Sequence, residues 1–127
     1  MSVPPPMKSV SGVARIGRAF GYSMEGLAAA YRHEAAFRQE LLLVSVGLVV
    51  AIVVPASLTQ RALLVGALLS VLIVELLNSA VEATVDLVSP ESHELAKRAK
   101  DVASAAVFVS LFGAAVTWAL VLLDIAT

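Results

Sequence analysis

The 127-residue sequence contains no cysteine. Disulfides, thiolate metal sites and cysteine nucleophiles are therefore excluded. Charge is also sparse: Asp, Glu, Lys and Arg make up 15% of the residues and leave a formal net charge of −1. That gives no broad electrostatic footprint for DNA or RNA, so a nucleic-acid partner is not expected. Neither a zinc motif nor a Ser-His-Asp order is visible. Residues 12–19, GVARIGRA, have two glycines at phosphate-loop spacing. They lack the following Lys-Ser/Thr that would hold phosphate and metal. A compact apolar leader is missing as well, because charges are scattered from Lys8 to Glu40. No cleavable signal is expected, and residues 1–10 are expected to form a disordered tail.

What remains is strongly apolar. Hydrophobic residues make up 59% of the chain, and the mean hydropathy is +0.89. An ordinary globular domain has roughly 45–50% apolar residues. Residues 41–58, 62–74 and 102–123 carry no charge, and helical patterning continues from the second run to residue 88. The third run would measure roughly 33 Å as a helix, enough for a hydrocarbon core of about 30 Å. The expected fold is an all-α membrane protein with a single domain over residues 11–127. A surface segment covers 11–40, membrane spans cover 41–58, 62–88 and 98–124, and a loop covers 89–97. Pro55 should stop the first span. Ser89 followed by Pro90 reads as an N-cap and first turn leading into the third span.

Residues 11–40 mix Phe20, Leu27 and Tyr31 with Arg15, Arg18, Arg32 and Arg38. This pattern predicts one or two amphipathic helices lying in the membrane interface. Gly12, Gly17, Gly21 and Gly26 argue against one unbroken helix. Most basic residues precede the first span or, as Lys97, Arg98 and Lys100, lie between the second and third. Only Arg61 lies in the first turn. The positive-inside rule then puts the N-terminus and second loop in the cytoplasm and the C-terminus outside. Tyr22 and Trp118 suit interfacial anchors, and Trp118 equally suits a space-filling role between helices.

Acids inside the second span need a reason. Residues 74–86 read VELLNSAVEATVD. At 100° per residue, Glu75, Asn78, Ser79, Glu82 and Asp86 fall within an arc of about 100°. Glu82 lies about 10 Å nearer the cytoplasm than Glu75. A charge at the bilayer centre costs at least about 2.5–3.5 kcal/mol, so the stripe must face protein, water or a cation. Hydrogen-bonded helix glue is one account of Asn78 and Ser79. Two unneutralised carboxylates, Glu75 and Glu82, point instead to a hard divalent cation such as Mg2+.

Lys97, Lys100, Asp101 and Ser104 share a face of the following helix. They read as a cytoplasmic anchor with a solvated ion pair, or as a phosphate site centred on Lys100. His33 and His93 suit exposed surface better than metal ligation. Glu34, in YRHEAAFRQE, lies near the interface, and from spacing alone it is a surface glutamate. A small cation-conducting oligomer lined by Glu75 and Glu82 is the competing account from a different class.

Three blocks, GYSMEGLAAAYRHEAAFRQE, ELLNSAVEATVD and HELAKRAKDVASAAV, resemble the bacterial integral-membrane diacylglycerol kinase family in order and spacing. The likeness runs from about Arg15 to Trp118. It implies three transmembrane helices plus an amphipathic surface helix, assembled as a homotrimer with active sites shared between copies. It also implies transfer of the ATP γ-phosphate to diacylglycerol, with Mg2+, at the cytoplasmic face of the bacterial inner membrane.

By the same resemblance, Glu75 is the catalytic base, Asn78 orients the site, and Glu34 and Glu82 are the Mg2+ ligands. Lys100 binds phosphate and Asp101 helps hold the nucleotide. Glu91, Ser92 and His93 match the loop that contacts ATP. Arg15 and Tyr22 match positions near nucleotide and lipid, and Ser104 and Trp118 match lipid-site positions. Met24 and Glu25 depart from the family, whose diacylglycerol-specific members carry a tryptophan and a basic residue there. Relatives acting on undecaprenol usually have threonine at the Ser79 position. Ser79 and FRQE favour diacylglycerol, with undecaprenol as the alternative acceptor.

Overall fold

The computed structural model describes residues 2–5 and 11–127. Most of the expected N-terminal tail, including Lys8, lies outside the described residues. The described chain is helical, with α1 Gly12–His33, α2 Ala35–Val53, α3 Leu58–Val88 and α4 Glu94–Ala126, and no strand. The last three are long and apolar enough to cross a membrane. At 31 and 33 residues, α3 and α4 extend to about 45–50 Å. Each overshoots a hydrocarbon core of about 30 Å and carries polar residues beyond it.

α1 runs unbroken through all four of its glycines. Ser11 starts it, its hydroxyl accepting the Ala14 N–H at 3.4 Å. The interruption falls at Glu34 instead, where an extended backbone (φ −117°, ψ 107°) ends α1 and opens α2. The segment 11–40 is thus divided between two helices. Arg38, one turn into α2, holds the corner. Its guanidinium donates to the Tyr31 carbonyl at 2.7 Å and the Arg32 carbonyl at 3.3 Å. A cation on the last carbonyls of a helix is favoured by both hydrogen bonding and the helix dipole.

α2 stops at Val53, two residues before Pro55, with Val54 extended (ψ 148°). Proline disfavours helical conformation in the residue before it, so the helix ends early. A capping box then starts α3 at Leu58, ahead of the charge-free run. The Ser57 hydroxyl accepts the Gln60 N–H at 3.1 Å, and the Gln60 side chain accepts the Ser57 N–H at 2.9 Å. Gln60 also donates to Asp124 at 2.7 Å, tying the start of α3 to the end of α4.

Arg61, the lone cation of this turn, folds back onto α2. It donates to the carbonyls of Ala51 at 2.8 Å, Ile52 at 2.6 Å and Ala56 at 3.0 Å. Hydrogen bonds from a charged group are worth about 1.5–3 kcal/mol each when well formed, less where water competes. Arg61→Ala is therefore expected to lower stability by about 1–3 kcal/mol. Thermal unfolding in detergent checks this, and activity measured well below the transition should stay close to wild type.

Ser89 does not start α4, contrary to the expectation from its pairing with Pro90. It caps the end of α3, its N–H reaching the Val85 carbonyl at 2.8 Å, while its hydroxyl donates to the Glu91 carbonyl at 3.0 Å. With its oxygen turned into the loop, it offers nothing to the first N–H groups of a helix. His93 does that work, its Nδ1 accepting the Leu95 N–H at 3.0 Å.

α3 is the central helix, packing on α4 and on α2, and α1 meets α2 near the corner. Ala51, Leu64 and Val121 form a buried cluster near the α2–α3 turn, with Trp118 packed against it. Gly47 permits close approach of α2 to α3, since a Cβ there would lie 2.7 Å from a Leu68 methyl. Large apolar side chains such as Phe108, Phe112 and Ile73 are exposed on outer faces. Apolar faces of this extent suit lipid or neighbouring helices rather than water.

Candidate active site

The buried face of α3 runs Leu64, Leu68, Val71, Glu75. These positions follow i, i+4, i+7, i+11 spacing, so one packing stripe changes from apolar to acidic without leaving the same side of the helix. Glu75 is 3% exposed and is the one charged side chain fully buried among the described residues. Asn78, Ser79 and Glu82 are half-buried, and Asp86 is exposed. Burial within the chain thus falls along the stripe from Glu75 to Asp86.

α2 supplies a neighbour that spacing did not single out. Phe37, Val44 and Ala51 are its buried residues, and Glu40 shares their side of the helix. Its carboxyl lies close to that of Glu75, and the Asn78 side chain is close to Glu75 as well. Heptad-like spacing through positions 37, 40, 44, 47 and 51 is the signal that marks Glu40 as inward-facing. Glu34, from the α1–α2 corner, and Glu82 also act electrostatically on Glu75. Four carboxyl groups from three separate stretches of chain thus lie within electrostatic range of one another, spread along α3 rather than gathered at one point.

Several polar atoms here are buried without a partner within the chain: Glu40 Oε2, Asn78 Oδ1 and Ser79 Oγ. An unsatisfied buried polar group costs about 1–3 kcal/mol. A cleft of about 710 Å³ opens between α1 and α3, lined by Gly26, Ala30 and Glu34 on one side and Ser79, Ala80 and Ala83 on the other. Its size falls in the range of small-ligand pockets, and small apolar walls with a few polar groups are what an amphiphilic ligand needs.

Lys100 leaves the early turns of α4 and forms an ion pair with Asp86 of α3. Lys97 pairs with Asp101 along α4 at 2.6 Å. Lys100 is thereby brought to the Asp86 end of the acidic stripe, and Glu82 is also within its electrostatic reach. Glu91, Ser92 and His93 lie in the exposed connection between α3 and α4.

Other candidates stay apart within one chain. Arg15 and Tyr22 are exposed on α1, about 28 and 18 Å along that helix from Glu34. Ser104 is exposed on α4. Trp118 packs in the core near the turn end, its indole N–H donating to the Leu64 carbonyl at 3.1 Å. Leu64 lies about 16 Å along α3 from Glu75. Trp118 thus occupies the space-filling place between helices.

Comparison with known proteins places this arrangement. Residues 21–122 match the family model described as prokaryotic diacylglycerol kinase. A protein named diacylglycerol kinase from Pseudomonas aeruginosa is 54% identical over 120 residues, covering 94% of this chain and 98% of the relative. One of the same name from Escherichia coli strain K12 is 46% identical over 114 residues, covering 90% and 93%. Another from Haemophilus influenzae is 36% identical over 112 residues, covering 88% and 95%. A match over most of both chains shows that the chain belongs to the prokaryotic diacylglycerol kinase family.

Proposed function

We propose that the chain is a membrane lipid kinase that moves the γ-phosphoryl group of ATP to diacylglycerol, with Glu75 as general base. The single observation that carries this is the burial of Glu75 at the deep end of a carboxylate stripe that rises to the aqueous boundary. A lipid hydroxyl sits below the headgroup phosphates, so the group that deprotonates it must be held below them too. A base also needs acceptor capacity, and Glu75 has it beside the Asn78 amide.

The proton of the lipid hydroxyl passes to the Glu75 carboxylate as the hydroxyl oxygen attacks the γ-phosphorus. The bond from that phosphorus to the β–γ bridging oxygen breaks, and ADP leaves with the electron pair. Phosphatidate and ADP are the products, and Glu75 returns its proton to water. Asn78 orients the base. Lys100 binds the polyphosphate, Asp101 and the loop residues Glu91, Ser92 and His93 hold the nucleotide, and Arg15 and Tyr22 complete that side. Arg15 and Ser104 contact the lipid, while Trp118 stays between the helices near the α2–α3 turn. A transition state of this kind needs positioning and charge stabilisation more than covalent help.

Among the described residues, no three His, Cys, Asp or Glu side chains gather to hold a metal by themselves. Mg2+ commonly takes one or two carboxylates and completes its shell with phosphate and water. Glu34 and Glu82, both half-buried and both acting on Glu75, fit that requirement. Bound Mg2+ would supply neutralisation of phosphate charge at the boundary.

The separation of Arg15 and Tyr22 along α1 from Glu34 supports a site completed by a second copy. The exposed apolar faces of α4 support the same assembly, which is a homotrimer in this account. α1 lies along the interface as an amphipathic helix. The N-terminus and the α3–α4 loop face the cytoplasm, the C-terminus faces outward, and the membrane is the bacterial inner membrane.

The test is purified protein with γ-labelled ATP, Mg2+ and either diacylglycerol or undecaprenol. Label is expected in phosphatidate. Label in undecaprenyl phosphate with none in phosphatidate reassigns the acceptor, and label in neither lipid ends the kinase account.

A further inference from the structure

Among the described residues, the Lys100–Asp86 pair is the one ion pair that joins two helices. Lys97 is already paired with Asp101 along α4, which leaves Lys100 to reach across to α3. Two carboxylates await it there, one helical turn apart: Asp86 at the mouth and Glu82 deeper in the stripe. The ammonium bonds Asp86, while Glu82 feels its charge without bonding it. Asp86 is not among the residues given a role above.

We propose that Asp86 is a positioning residue that parks Lys100 away from Glu82. This rests on the assignment of Glu82 to the metal and Lys100 to phosphate. A lysine is a long flexible cation, and without Asp86 the nearest carboxylate on its side of α3 is Glu82. An ammonium on Glu82 would occupy the oxygens that a divalent cation needs. The Asp86 and Lys100 side chains are 64% and 41% exposed, so their pair exchanges readily when polyphosphate arrives. Asp86 thus keeps the carboxylate free and the lysine close, and it yields the lysine to the nucleotide. The carboxylates that act on Lys100 are Asp86 and Glu82, both from α3.

Binding of Mn2+ alone to the purified full-length protein, read by electron paramagnetic resonance, tests the proposal without turnover. Asp86→Asn is expected to weaken Mn2+ binding about tenfold, the low end for residues that position metal ligands. Asp86→Glu should restore it. In a Lys100→Met background, Asp86→Asn should change Mn2+ binding little, because no lysine remains to move. An equal loss in both backgrounds overturns the proposal, since Asp86 would then act through its own charge. Unchanged binding in Asp86→Asn, with binding lost in Glu82→Gln, overturns it while leaving Glu82 as the metal residue. Unchanged binding in Glu82→Gln removes both assignments. Thermal unfolding of Asp86→Asn should match wild type, and a large drop there would assign the pair a purely structural role.

Discussion

Glu75→Gln is expected to lower turnover by about 10²–10⁴-fold, the usual contribution of a positioned general base. Glutamine keeps the length of the side chain and its place on the buried face of α3, so the loss reports chemistry more than packing. The affinity for Mg2+–ATP should stay within a few-fold of wild type, because the proposed nucleotide and metal residues are Glu34, Glu82 and Lys100 rather than Glu75. Added Mg2+ should not restore the rate. Steady-state phosphatidate formation, with nucleotide binding measured in parallel, checks both halves. If nucleotide binding fails along with turnover, Glu75 belongs with the metal residues instead.

Glu82→Gln should fail differently. Removing one of two carboxylates from a Mg2+ site is expected to weaken metal-dependent nucleotide binding by at least about 100-fold, more than the loss of a supporting residue. The rate should recover in part as Mg2+ is raised, since water replaces the missing oxygen. A Mg2+ titration of the initial rate separates the two variants: the Glu82→Gln curve moves to higher Mg2+, while the Glu75→Gln curve keeps its midpoint and loses its height. A Glu82→Gln curve with an unchanged midpoint would mean that this carboxylate holds no metal.

The pattern of the α3 face explains why the stripe of the candidate site was legible in the sequence. A helix repeats its faces every 3.6 residues, so Glu75, Asn78, Ser79, Glu82 and Asp86 declared themselves a stripe before any contact was known. The graded exposure of those residues follows from the same geometry. Glu40 was harder because its span is almost uniformly apolar, which hides which side faces inward. Only the packing of Phe37, Val44 and Ala51 against neighbours reveals its direction.

Corners and caps were less legible still. The break at Glu34 depends on Arg38 reaching back to the Tyr31 and Arg32 carbonyls, a tertiary bond that no local propensity encodes. The four glycines of α1 suggested an earlier interruption, yet each is tolerated within the helix. At the α3–α4 turn, Ser89-Pro90 resembled a helix start, but His93 provides the cap because the Ser89 hydroxyl is committed to the loop. In the sequence Arg61 was only the one basic residue of the first turn, and its role emerged from the α2 carbonyls that it caps.

The chemical step itself offers the most direct test of a buried carboxylate acting on a lipid alcohol. Wild type and Glu75→Gln would each be loaded with γ-labelled ATP and Mg2+ in bilayers containing diacylglycerol, and a single turnover followed by rapid quench. Wild type should pass the label to phosphatidate, while Glu75→Gln should hold the nucleotide with the label still in ATP. Label reaching the lipid at the wild-type rate in Glu75→Gln would contradict the account.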